Sequence, residues 1–262
     1  MRYLLLAVCC FLFLMVNGCG SGKDSTALTP DERWERARQA FENEDYLDAI
    51  EDLKIITLQF QGSGYGDSAQ FYLAESYYKR KEYILAQYEF ENFIRTRTSS
   101  KLLPRARYQL GKCFYRLSSQ SSLDQQNTHK AIDAFQSFIE YSPADSLVPD
   151  GEAKIRELNN KLAEREYTIA ELYMRMQYYR AAVIYYDAVL EKFHDSDLAD
   201  DSQLGKARAM FLRKKYPEAR DEIARFFERY PSSDRRSEGD ELRTEIDAKL
   251  KGLTDKEKTQ KP

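Results

Sequence analysis

The scarce reactive side chains of this 262-residue chain are two histidines, His129 and His194, and four cysteines, Cys9, Cys10, Cys19 and Cys113. Two histidines this far apart are too few for a histidine-built metal centre or acid–base pair, so no metal and no cofactor is expected. Carboxylates are plentiful, but the 43 Asp and Glu are interleaved with 40 Lys and Arg. Runs such as Glu164-Arg165-Glu166 and the cluster Glu218, Arg220 and Asp221 read as solvated helix faces with weak i,i+4 pairing. A glycan hydrolase would need a carboxyl group isolated in an apolar setting to raise its pKa, and no run offers one. No phosphate loop, dinucleotide fingerprint, zinc-protease helix, nucleophile elbow or CxxC pair occurs. A net charge of −3 lacks the basic surplus that nucleic acid requires. No catalytic residue is expected, and binding is the chemistry that remains.

Cys19 is the cysteine with a distinctive setting. After Met1-Arg2-Tyr3 comes an apolar run, Leu4 to Val16, of a length suited to a signal-peptide core and short for a membrane span. It ends at Val16-Asn17-Gly18-Cys19, followed by Gly20-Ser21-Gly22-Lys23-Asp24. This resembles a bacterial lipoprotein signal, although Asn17 stands where Ala or Ser is usual, and an ordinary cleaved secretory signal is the alternative. The expectation is a signal peptide over 1–18 and a lipidated tether over 19–28. Cys19 would carry acyl chains, palmitate among them, and more than one chain anchors stably. The tether would reach about 15–18 Å as a flexible coil. Gly20 offers no acidic retention signal, which points to the periplasmic face of the outer membrane. Cys9 and Cys10 would leave with the signal, and Cys113 is expected as a small buried helix residue.

The elements that follow are set by an internal repeat. A small residue is followed by an aromatic, then Tyr-x-x-Ala, then apolar residues four and seven beyond that Ala. The copies are Ala37, Phe41, Tyr46, Ala49, Leu53, Ile56; then Ala74, Tyr77/Tyr78, Tyr83, Ala86, Phe90, Phe93; then Gly111, Phe114, Ala131, Phe135, Phe138. The last two are Ala170, Tyr173, Tyr179, Ala182, Tyr186, Val189 and Ala207, Phe211, Tyr216, Ala219, Ile223, Phe226. Small residues let paired helices approach closely while aromatics fill the gaps at helical spacing. Few Gly and Pro, 11 and 7, also disfavour a turn-rich β fold. Thr29-Pro30-Asp31-Glu32 has the form of a capping box with Pro at the first helical position. Asp150 to Gln177 reads as one long helix, and the Ser/Gln-rich stretch Ser118 to Asn127 as a long mobile loop. A polar helix over Ser237 to Leu253 would cap the stack, and 254–262 would be a disordered charged tail.

These residues resemble the tetratricopeptide repeat. The fold expected is all-α, a TPR-like superhelical solenoid of five helix pairs with a long helix between units 3 and 4. By that resemblance, peptides would bind the concave side, and Tyr72, Tyr77 and Tyr78 are candidates for such a groove. For Tyr77 a plain core role is the competing reading. Lone Trp34 reads as packing, and His194 as a helix-end residue.

A lipoprotein signal, a tether, five repeats and a long helix together resemble the BamD family of outer-membrane lipoproteins. The sharpest stretch is Lys161-Leu-Ala-Glu-Arg-Glu-Tyr-Thr-Ile-Ala-Glu-Leu-Tyr173, followed by Tyr179-Arg-Ala-Ala-Val183. The Ser/Gln loop, His194 and the charged tail depart from the family pattern. The resemblance implies a substrate side over 29–143, engaging unfolded outer membrane proteins, and a docking side over 144–253 for the periplasmic domains of BamA. Arg175, Tyr179 and Arg180 are the docking candidates, and other lipoproteins of the same machinery are implied partners. A periplasmic TPR lipoprotein coordinating envelope or peptidoglycan machinery is the alternative.

Overall fold

The computed structural model describes residues 28–259. The expected signal peptide, Cys19 and nearly all of the expected tether lie outside the described residues. Among those described there are eleven helices and no strand. They divide into two compact bodies, one ending at Arg80 and the other beginning at Lys81. That boundary falls inside the 29–143 stretch expected as one half.

The N-terminal body holds α1 (Pro30–Glu42), α2 (Tyr46–Gln59) and α3 (Gly66–Lys79). The capping box forms as its residues require. Glu32 N donates to Thr29 Oγ1 at 3.3 Å, Thr29 N donates to Glu32 Oε2 at 3.0 Å, and Pro30 opens the helix. α1 packs on α2 and α2 on α3, with Ala37, Ala49, Leu53 and Ile56 buried between them. The interface also contains a charge pair. Arg33 and Asp52 are both nearly fully buried and meet at 2.9 Å, and Arg36 bonds the second oxygen of Asp52. Removing one partner would leave an uncompensated charge in the core.

The C-terminal body runs through α4 (Tyr83–Thr96), α5 (Leu103–Leu117), α6 (Gln126–Tyr141), α7 (Val148–Arg175), α8 (Tyr179–Lys192), α9 (Ala199–Leu212), α10 (Tyr216–Arg229) and α11 (Arg236–Thr259). Each helix packs on the next. The Ala, +4, +7 triplets of α4, α6, α8 and α10 are all buried, Phe90, Phe93, Phe135, Phe138, Tyr186, Val189 and Phe226 included. Such spacing puts three side chains on one helical face, which is why they share one fate.

Where large rings fill the facing helix, the small residue shrinks to glycine. A Cβ on Gly111 would lie 2.7 Å from the Phe135 ring, one on Gly205 2.5 Å from Tyr186, and one on Gly239 2.8 Å from Phe226. Cys113 is buried, as expected of a small packing residue.

The turns inside helix pairs follow one plan. Glu44, Lys81, Gln177 and Lys214 have φ of 65°, 64°, 61° and 60°. Each stands two residues before the Tyr that opens the next helix. Around Gln177, Tyr178 N reaches back to Tyr173 O (2.9 Å) and Gln177 N to Met174 O (3.0 Å). Lys215 and Lys214 repeat both bonds with Met210 and Phe211. This is the Schellman ending, in which a residue with φ > 0 usually is glycine. None of the four is.

Helix α7 has 28 residues, about 42 Å at 1.5 Å per residue. It starts two residues before and stops two before the expected span. Leu158 and Leu162 join the core built on Phe135 and Phe138, whereas Ala170 packs with Tyr186 of α8. Tyrosine hydroxyls fasten its outer carboxylates: Tyr108 donates to Asp150, Tyr115 to Glu157 at 2.6 Å, and Tyr186 to Glu171.

The Ser118–Asn127 stretch is a loop, as expected, from Ser118 to Gln125, and it has a definite shape. Gln125 is buried, and its Nε2 donates to the carbonyls of Gln120 (2.7 Å) and Leu123 (2.9 Å). α6 has already begun at Gln126, and Lys161 of α7 donates to Ser118 Oγ at 2.9 Å. Leu242 and Ile246 of α11 close the last core. α11 continues to Thr259, through most of the segment expected as a disordered tail. The last three residues lie outside the described chain. Among the described residues no helix is long and apolar enough to cross a membrane.

Candidate partner-binding surfaces

The reversal between α7 and α8 builds an apolar groove of about 510 Å³. Because Gln177 turns the chain so tightly, Tyr173 from α7 and Tyr178, Tyr179 and Ile184 from the turn and α8 converge there, with Arg180 and Arg213 at its edge. None of the groove-lining residues is acidic. Ile184 is 62% and Tyr178 59% exposed, and Met176, Leu172 and Leu212 are exposed beside them. Isolated apolar side chains on a surface are ordinary, whereas here several stand exposed together around one groove. The rings are held in place by each other. Tyr173 stacks on Tyr185 with centroids 5.4 Å apart, and Tyr178 meets Tyr173 edge-on at 6.4 Å.

A polar network ties α8, α9 and α10 together. Lys206 of α9 bridges Asp187 of α8 (2.8 Å) and Glu222 of α10 (2.9 Å). Glu222 also accepts from Gln203 (2.8 Å) and Arg225 (2.7 Å). Burial alone would raise the Glu222 carboxyl, but its bonds to Lys206 and Gln203 overcome this and hold it below its ordinary value. Burial likewise works against the Lys206 charge, and Asp187 and Glu222 outweigh it to raise its pKa. Burial first, and then the Glu171 charge, pushes the Tyr167 hydroxyl up to about 12. Burial, and then its hydrogen bond to Glu171, drive the Tyr186 hydroxyl further up. These groups are structural, and among the described residues no cluster of His, Cys, Asp and Glu could hold a metal ion.

A second surface lies in the N-terminal body. Trp34 of α1 stacks on Tyr65 (5.4 Å, 18° between planes) and meets Tyr72 of α3 edge-on at 5.7 Å. Tyr72 also touches Phe41 at 4.9 Å, and Phe41 touches Tyr46 at 5.4 Å. All five rings are half-buried, so they form a continuous aromatic wall with one edge in solvent.

The candidate residues from sequence are distributed unevenly over these surfaces. Tyr72 is in the wall. Tyr77, five residues on, is buried beneath Lys54, whose Nζ stands 5.6 Å from the ring, and Tyr78 is half-buried. Tyr179 and Arg180 line the α7–α8 groove, and Arg175 is exposed at the end of α7, outside the lining. Sequence reasoning passed over Tyr178, Ile184 and Arg213 in the groove and Tyr65 in the wall, and read Trp34 as packing, which its contacts with Tyr65 and Tyr72 fit. His194 follows the C-cap Phe193 at the end of α8, as a helix-end residue should.

Residues 26–200 match the family model described as YfiO, outer membrane lipoprotein, and residues 167–234 match a tetratricopeptide-repeat model. Among characterised proteins, the chain is similar to the outer membrane protein assembly factor BamD of Vibrio cholerae, 22% identical over 72% of this chain and 83% of the relative. The factor of the same name from Haemophilus influenzae is 24% identical over 70% of this chain and 74% of its own length. That of Rickettsia prowazekii is 24% identical over 72% and 76%.

Proposed function

The chain belongs to the YfiO family of outer membrane lipoproteins, and from that premise we propose that it serves the β-barrel assembly machinery as a lipid-anchored binding subunit. It works without covalent chemistry. The α7–α8 groove docks on the periplasmic domains of BamA, and the aromatic wall of the N-terminal body receives unfolded outer membrane proteins. Cys19 holds it on the periplasmic face of the outer membrane, beside the other lipoproteins of the machinery.

The observation that carries the docking reading is the groove itself. Its apolar floor with Arg180 and Arg213 at the edge suits a partner surface with an apolar anchor and carboxylates around it. Burying a side chain of the size of Ile184 is worth about 1.5–3 kcal/mol, enough to make it an anchor. The wall suits a different task. An unfolded chain brings aromatic side chains in variable order, and ring edges accept them with little demand on sequence. A surface already formed adds no ordering cost of its own to binding.

Co-purification from detergent-solubilised membranes tests this. The unaltered chain recovers BamA, whereas Ile184→Asp with Arg180→Glu lowers recovery at least about tenfold, the expected loss of one anchor and its charge partner. The melting temperature of the variant stays unchanged, because both side chains are exposed. Recovery of peptidoglycan enzymes without BamA would overturn the reading in favour of a different envelope role.

A further inference from the structure

The turns that join one helix pair to the next carry charge in every copy of the repeat but the first. Nine residues after the second-helix Ala stand Arg95, Glu140, Glu191 and Glu228. The turns beyond them hold Lys101, Asp145, Asp195 with Asp197, and Asp234. In the first copy the same position is Leu58, and the twelve residues from Ile55 to Gly66 include no charge. Leu58, near the end of α2, is 76% exposed, the most exposed large apolar side chain among the described residues. Gln59, Gln61, Gly62 and Gly64 are exposed beyond it, and a Cβ on either glycine would meet nothing within 4 Å. The place of this turn is a separate observation. It lies at the end of the N-terminal body where the chain enters. Trp34 of α1 stacks on Tyr65, and the Tyr65 hydroxyl hydrogen-bonds Asp31 in the first turn of α1. α1 opens at Pro30, and the expected tether ends at Leu28.

We propose that the α2–α3 turn rests on the lipid surface, with Leu58 set among the headgroups and the upper acyl carbons. The inference rests on the reading that Cys19 is lipidated. A tether with a reach of about 15–18 Å keeps its point of attachment that close to the bilayer, and the α2–α3 turn stands beside that point. Carrying a charge out of water toward hydrocarbon is costly, so a turn pressed on lipid is the one expected to have none. Leucine enters the interface, while Gln59, Gln61, Ser63 and the Tyr65 ring suit the headgroup level, where polar and apolar atoms meet. The acids nearby are already engaged, Asp31 by Tyr65 and Glu32 by the capping box. A protein partner is the less fitting occupant. Protein anchors are rimmed by polar and charged groups that set register, as Arg180 and Arg213 rim the α7–α8 groove, and this turn has no such rim. One leucine falls far short of an acyl chain, so the contact orients the body and does not hold it.

The test uses the full lipidated chain in vesicles of phosphatidylethanolamine and phosphatidylglycerol. A fluorophore is attached through Gly62→Cys or, near the other end of α2, through Asp48→Cys. Cys113 is buried and does not compete for the label. Lipids with a nitroxide near the headgroup should quench the label at position 62 at least about twofold more than at position 48, as expected of a group at the headgroup–acyl boundary. Leu58→Asp should bring the quenching at position 62 down to that at position 48. That variant should still float with the vesicles and melt at an unchanged temperature, because the side chain is exposed. Equal quenching at the two positions, or a difference that survives Leu58→Asp, would overturn the proposal and leave the lipid anchor standing. A label at position 62 that lipid does not quench, but that is shielded from aqueous iodide in vesicles made from whole outer membranes, would assign the face to a protein partner and overturn it too. A chain that fails to float would remove the anchor and this contact together.

Discussion

Gly111 and Phe135 illustrate how single atoms set the packing. A Cβ at Gly111 would sit 2.7 Å from the ring. Gly111→Ala is therefore expected to cost about 1–3 kcal/mol in urea denaturation, the usual penalty of overpacking. Phe135→Leu in the same chain should recover part of it, giving a non-additive pair. Glu222 supplies a test of a different kind. Its carboxyl is held below the ordinary 4.5, so its contribution is present above that value and is lost as pH falls through the folded pKa. Thermal melts from pH 6 down to about pH 3 should show Glu222→Gln less stable at pH 6 and less sensitive to acid than the unaltered chain. Some of these residues were legible beforehand. Gly111 stood in register with the repeat's small residue, and the structure gives its reason. Gly205 and Gly239 were missed because the repeat was read through alanine. Only the bulk of the facing ring, Tyr186 or Phe226, decides where alanine is too large.

At the scale of elements, the four left-handed turn residues invite substitution. An L-residue there costs about 1–2 kcal/mol in backbone sterics, and a β-branched one is worse. Lys214→Val should lower stability by about 1–2 kcal/mol. Lys214→Gly should be neutral or raise it by up to about 1 kcal/mol, since glycine pays less in the turn but more from the unfolded chain. Paired chemical-denaturation curves with unchanged m-values would check both. The helices themselves were readable because Ala, +4 and +7 apolar residues force one buried face. The α7–α8 groove was partly readable by the same logic inverted. Ile184 lies two residues after Ala182, on the opposite face from Tyr186, and an apolar residue out of register has no core to enter. The aromatic wall was hidden because Trp34, Tyr65 and Tyr72 come from different elements, and periodicity within a helix says nothing of rings brought together from several. The Ser/Gln stretch was legible as a loop from its composition, but not the buried Gln125 amide that satisfies two of its carbonyls.

For the whole molecule, anchoring and partner choice are separable. Cys19→Ala is expected to move the chain from the membrane fraction to the soluble periplasmic fraction, read by fractionation and by the lost lipid mass on intact-protein mass spectrometry. The same variant should still recover BamA when mixed with solubilised membranes, because the proposed docking groove is built wholly from α7, α8 and α9. A Trp34→Ala and Tyr72→Ala pair should do the converse, keeping BamA while weakening capture of unfolded outer membrane proteins. Helix α7 has a bearing on both outcomes. Its first half is rooted through Leu158 and Leu162 among Phe135 and Phe138, its last turns pack against Tyr186, and tyrosines peg it at three carboxylates along the way. Such a member behaves as a strut. A load applied at the Arg175 end is therefore expected to be passed toward the far root, and a protein gripping one tip should register, tens of ångströms off, as a change in the packing around Leu158.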